Sequence, residues 1–133
     1  MSKIDDNLLT EELVNVEHLS ELKLVIGLDA LDSIKKTYIA DVQQKFPELL
    51  QQSERGNFHS IHQLSHSLKS ASANMGLVPL SKLYAEIESA GEKEQHESIL
   101  ALIQPVQTLQ NASLTELNNV FMAFEAHAFD ASI

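Results

Sequence analysis

His66, Lys69 and Gly76 are the residues of this chain whose types and spacing point most directly to chemistry. An imidazole is nucleophilic at neutral pH when it is uncharged, and a lysine one helical turn away supplies a positive charge beside it. The apolar or small positions Phe58, Ile61, Leu64, Ser65, Leu68, Ala71, Ser72 and Met75 recur at steps of three and four, the pattern of an amphipathic helix. At about 100° per residue they fill one sector, and His66 falls roughly 160° from its middle. His59, Ser70 and Ala73 lie on that polar side too, with His62 and Lys69 at its edge. The ring is therefore predicted to stand in solvent on a rigid helix, where packing does not require it. That situation suits a group that receives and passes on a phosphoryl group.

The elements that must carry this helix are themselves helical. The chain has 133 residues, enough for one core, and 44% of them are hydrophobic while only 5% are aromatic. Packing must therefore come from aliphatic stripes. Four glycines and three prolines leave little turn chemistry for hairpins, and no window alternates as a strand would.

Residues 1–15 are predicted to be an acidic arm, with Thr10 able to cap a short turn. A first helix over 16–26 places Leu19, Leu22, Val25 and Ile26 on one face before Gly27 stops it. Asp29 then reads as the N-cap of a second helix, with Asp32 near its positive end. Its stripe is Leu31, Ile34, Tyr38, Val42, Phe46 and Leu49, running to about Gln52 with Pro47 bending it. Ser53 to Gly56 form a turn, and Asn57 caps the helix that carries His66, which ends near Asn74 or Met75. Pro79 opens a fourth helix that buries Leu80, Leu83, Tyr84 and Ile87 and ends at Gly91. A fifth runs over about 95–125, with Ile99, Leu102, Val106, Leu109, Leu117, Val120 and Phe124 inward and Pro105 kinking or splitting it. Residues 126–133 are expected to fray. The fold expected over 16–125 is all-α: an antiparallel up-down-up-down four-helix bundle with an additional short N-terminal helix.

Antiparallel pairing places one more residue. If the third and fourth helices turn near Leu77, His66 lies eleven residues before the turn and Glu88 eleven after it. Each is then about 16 Å along its helix, so the carboxylate faces the imidazole. A carboxylate accepting from Nδ1–H would fix the tautomer and leave the Nε2 lone pair outward.

His66-Ser67-Leu68-Lys69-Ser70, then Gly76-Leu77, Leu80, Leu83 and Ile87-Glu88, resembles the signature of the histidine-containing phosphotransfer (HPt) domain: His-x-Leu-Lys-Gly, a glycine ten residues after the histidine, and a leucine-rich helix ending in an acid or amide. The motif covers about 57–90. The resemblance implies a stand-alone phospho-carrier, not an enzyme. His66 would take a phosphoryl group from the receiver domain of a hybrid sensor kinase and give it to a response regulator. Lys69 would stabilise the phosphoryl oxygens, Glu88 would orient the ring, and Mg²⁺ would be held by the receiver and not by this chain. Ser70, Ala73, Gly76 and His62 would serve docking or close approach; Ser70 stands where the family usually has glycine.

Composition sets the partners. A net charge of −10, from 19 acids against 9 bases, disfavours nucleic acid and anionic membrane surfaces. No run reaches transmembrane length, no signal peptide opens the chain, and there is no Cys. A cytoplasmic monomer is the expectation. Two other readings compete. His59, His62 and His66 stack at i, i+3 and i+7 and could bind zinc or copper, but no cysteine or second histidine cluster completes a site. A non-catalytic helical adaptor would also present an exposed histidine, but would not need Lys69, Ser70, Ala73, Gly76 and Glu88 together.

Overall fold

The computed structural model describes residues 12–131, with side chains to residue 127. The expected turn at Thr10 and the last two residues lie outside the described part. Five helices follow one another: α1 (Val16–Ile26), α2 (Leu28–Arg55), α3 (Phe58–Asn74), α4 (Val78–Glu92) and α5 (His96–Ala131). No strand occurs among the described residues. Short connections force antiparallel neighbours, and side-chain pairs show the register. Tyr38 reaches Ser72 and Lys45 reaches Ser67 between α2 and α3, while Ser81 reaches Lys69 and Glu88 reaches His66 between α3 and α4. In each case the numbers rise on one helix as they fall on the other, which is the up-down arrangement expected.

The core is aliphatic with a few aromatics. Leu31, Leu49, Ile61, Leu68, Leu80, Ile87, Ile99 and Leu117 are fully buried, together with Tyr84 and Phe121. Each fully buried Leu or Ile contributes about 1.5–3 kcal/mol through surface removed from water. Most polar side chains inside find partners: Tyr38 Oη and Ser72 Oγ are 2.8 Å apart, Ser65 donates to the Ile61 carbonyl, and Tyr84 donates to Gln110, whereas the buried hydroxyls of Ser53 and Ser113 have none. Burial pushes the Tyr38 hydroxyl up to about 12 and raises Tyr84 also, so both remain neutral.

Several boundaries differ from expectation for local reasons. α2 begins at Leu28, so Asp29 lies in its first turn and Gly27 is the cap. Gly27, at φ +88°, ends α1 by donating to Lys23 O and starts α2 by accepting from Leu31 N. Asp32 instead pairs with Lys36 and Lys35 along the helix. α2 continues through Pro47 to Arg55 and closes on Gly56 in the left-handed conformation. Gly91 does not end α4: it is buried inside the last turn, and the helix reaches Glu92. Pro105 does not split α5, which continues to Ala131, beyond the expected end near 125.

α1 docks as far as Leu22, which packs against the core, and Lys23, which lies over Phe124. Leu19 is buried, but Leu24 and Val25 are more than four-fifths exposed and Ile26 is also exposed, so the expected inward face fails where the helix runs past its neighbours. Ile34 is likewise exposed, in a groove beside the C-terminal end of α3, where the partner helix stops. The acidic arm ends earlier than expected: Val14 is buried in the core and Asn15 N donates to Gly76 O at 2.8 Å.

Candidate functional site

α3 and α4 form the closest helix pair of the bundle, and the site lies on their solvent edge. Ile61, Ser65, Leu68 and Ser72 of α3 are buried, which turns His66 outward with its side chain 58% exposed. Its Nδ1 lies 2.6 Å from Glu88 Oε2. Lys69 Nζ lies 2.5 Å from the other carboxylate oxygen, Oε1. The opposition of residues equidistant from the turn at Leu77 is therefore realised as a contact.

Glu88 is the hub of this cluster, and its side chain is only 14% exposed. Burial alone would raise its carboxyl pKa, but the hydrogen bonds from Lys69 and His66, with their charges, together hold it below the ordinary value. Glu88 is thus ionised at neutral pH and only accepts hydrogen bonds. His66 Nδ1 must then be the donor, which leaves Nε2 with its lone pair. The native state binds the Glu88 proton less tightly than the unfolded chain does. Its contribution is full above the ordinary carboxyl value of 4.5 and is lost as pH falls through the lowered native value. Native protein should exceed Glu88→Gln in stability by about 1 kcal/mol at neutral pH, with the gap closing on acidification. Thermal melts from pH 7 downward check this, and a gap that widens in acid contradicts it.

His62, one turn before His66, places Nε2 3.6 Å from Glu88 Oε2. The two imidazoles are nearly parallel, with centroids 6.4 Å apart. His59 stays apart on the exposed surface, and no group of three or more His, Cys, Asp or Glu among the described residues is arranged to hold a metal ion. Ser70 and Ala73 are exposed on the His66 side of α3.

Gly76 is not on that surface. It is buried at φ +75°, and a Cβ there would lie 3.1 Å from Asn15 O and 3.4 Å from the His18 ring. The close approach it permits is by the chain's own N-terminal segment, so its expected part in docking is corrected to a part in the turn.

Sequence reasoning missed three further contacts near helix ends and beside the site. Lys45 of α2 pairs with Asp41 and donates to Ser67, the residue after His66, at 2.5 Å. The i, i+4 spacing of Asp41 and Lys45 signals their pairing, but nothing in the sequence places them against Ser67. His18 Nε2 lies 2.9 Å from Asn74 O, and His96 Nε2 lies 2.7 Å from Ser53 O. Each of these two histidines can donate to a last-turn carbonyl of another helix, and Ser53 O accepts from Gly56 N as well.

The fold has a solved counterpart. Histidine-containing phosphotransfer protein B from Pseudomonas aeruginosa superposes with a TM-score of 0.79 at 19% identity, over 86% of this chain and 98% of that one. No curated protein matches the chain. No described helix is long and apolar enough to cross a membrane. The family model of the Hpt domain matches residues 33–119, more than half of the chain and the whole hairpin that carries His66 and Glu88, and the chain therefore belongs to the Hpt family, the histidine phosphotransfer carriers that work with receiver domains in phosphorelays.

Proposed function

We propose that His66 is the phosphoacceptor, taking its phosphoryl group from the phospho-aspartate of a hybrid sensor kinase's receiver domain and surrendering it to the aspartate of a response regulator. The observation that carries this reading is the 2.6 Å contact between Nδ1 and an ionised Glu88 on a ring 58% exposed. It leaves Nε2 as the nucleophile and turns the ring towards a docking partner.

In the forward step the Nε2 lone pair attacks phosphorus, the N–P bond forms, and the P–O bond to the receiver's aspartate breaks and returns the electron pair to that carboxylate. The Nδ1 proton stays on the ring, where Glu88 balances the positive charge that develops. In the reverse step the same proton makes the imidazole a better leaving group. A loose phosphoryl transition state asks for alignment and cations more than for covalent help. Lys69 is the cation on this chain, one turn from His66, and reaches the phosphoryl oxygens by leaving Glu88. Mg²⁺ held in the receiver's acidic pocket supplies the other positive charge. The protein acts as a cytoplasmic, monomeric carrier, with most of the catalytic apparatus in the receivers.

Incubation with phosphorylated receiver domains tests the reading: the chain should acquire one acid-labile, base-stable phosphate. An adaptor would bind without gaining it. Lys69→Ala should slow transfer about tenfold to a hundredfold while costing no more than about 1 kcal/mol of stability, because the lysine is partly solvated. Single-turnover transfer and thermal melts separate the two effects, and a large stability loss would make Lys69 structural. Ser70 and Ala73, small and exposed beside the ring, admit the receiver's backbone. Ala73→Glu should weaken receiver association at least roughly tenfold through bulk and charge, read by titration calorimetry. Unchanged association would place the interface elsewhere.

A further inference from the structure

We propose that His62 is a positioning residue for the phosphoacceptor: it takes over the Glu88 carboxylate when Lys69 leaves it for the phosphoryl group, and so keeps Glu88 on the Nδ1 side of His66. The proposal rests on the reading of His66 given above.

Glu88 cannot serve Lys69 and the phosphorylated ring equally. Lys69 holds Oε1 at 2.5 Å in the resting protein, and His66 Nδ1 holds Oε2 at 2.6 Å. Turning the ammonium to a phosphoryl group on Nε2 removes the partner of Oε1. The carboxylate is mostly buried, its side chain 14% exposed, so little water is at hand to replace that hydrogen bond. At that moment the ring also carries its positive charge and depends most on Glu88.

His62 is the group placed to respond. Its Nε2 lies 3.6 Å from Oε2, a fraction of an ångström beyond hydrogen-bond distance, so it would hold the carboxylate as a second donor on the oxygen that His66 already binds, and not at the Oε1 that Lys69 vacates. Its side chain is 41% exposed and its plane lies 8° from that of His66, so a small rotation closes the gap without collision between the rings. The backbone is already held against α4, because Gly91 lets that helix approach: a Cβ on Gly91 would lie 3.6 Å from His62 N. Of the other charged groups on the two helices, His59, Lys82, Glu86 and Glu92 are exposed.

Two measurements test this. In the unphosphorylated protein, Lys69→Ala imitates departure of the ammonium, and the ¹⁵N shifts of His66 report its tautomer. His66 should keep Nδ1–H in Lys69→Ala and in His62→Ala, and should become a mixture of tautomers in the double variant. A double variant that keeps the single tautomer overturns the proposal. In the transfer reaction, His62→Ala should fall behind the native chain by about threefold to tenfold. His62→Gln, which retains a donor, should recover part of the rate. No deficit in His62→Ala, or no rescue by glutamine, overturns the proposal. If the native chain acquires no phosphate, the assignment of His66 fails instead, while the tautomer measurement still decides the hand-over.

Discussion

His66→Gln should fold as the native chain does and acquire no phosphate from any receiver. The side chain is 58% exposed and its recorded hydrogen bond is the one to Glu88, so its removal costs about 0.5–1.5 kcal/mol. Transfer depends instead on a nitrogen lone pair, and the glutamine amide has no nucleophilic nitrogen to offer. Phosphorylation should fall by at least roughly a hundredfold, to background. His62 does not substitute, because its Nε2 faces the Glu88 carboxylate at 3.6 Å and not the solvent edge. Intact-mass spectrometry after incubation with a phosphorylated receiver, beside a melt of the same variant, checks both halves. Phosphate retained on His66→Gln would move the acceptor to another residue.

The features that were legible in the sequence follow from helix geometry. The outward position of His66 needs only rotation per residue, and the apposition of Glu88 needs only two rigid helices and a turn at Leu77. Features that depend on how far a neighbour extends were not legible. Val25 and Ile34 sit on apolar stripes, yet both are exposed because the adjacent helix ends or diverges there. Phe121 was not in the expected stripe of α5, but a helix that meets both α4 and α2 buries a broader sector than one seam. Competition among polar partners was equally hidden. Lys69 was expected near the phosphoryl group, and in the resting protein it holds Glu88; the sequence gives its reach but not its choice. Gly91 misleads for a related reason. It reads as a helix stop, but it sits inside the last turn of α4 where α3 comes close, and only the packed partner reveals that.

Gly91 turns that difference into a large expected effect on stability. An ideal Cβ at this position would lie 3.3 Å from Ile61 Cγ2, 3.6 Å from His62 N and 3.8 Å from His62 Cα. Ile61 is fully buried, and the other two distances are ordinary van der Waals contacts with the backbone of α3, so a methyl needs only a small shift of the Ile61 side chain while a larger side chain presses on α3 itself. Gly91→Ala sets a gain of about 1 kcal/mol in helix propensity against one tight methyl contact and should be near neutral. Gly91→Leu adds three further carbons that have no space, and should cost about 1–3 kcal/mol, a fall of roughly 5–15 °C in Tm for a domain of this size. The displaced helix carries Glu88 one turn away, on the same face. A shift of about 1 Å would break its 2.6 Å contact with His66, so transfer should slow by up to about a hundredfold in the same variant. Glu92→Leu, at the exposed next residue, controls for added apolar bulk and should leave Tm and transfer near the native values. Parallel melts and single-turnover transfer measure both consequences. A Gly91→Leu protein that melts with the native chain would mean that α3 and α4 do not depend on this close approach, and the placement of Glu88 would need another cause.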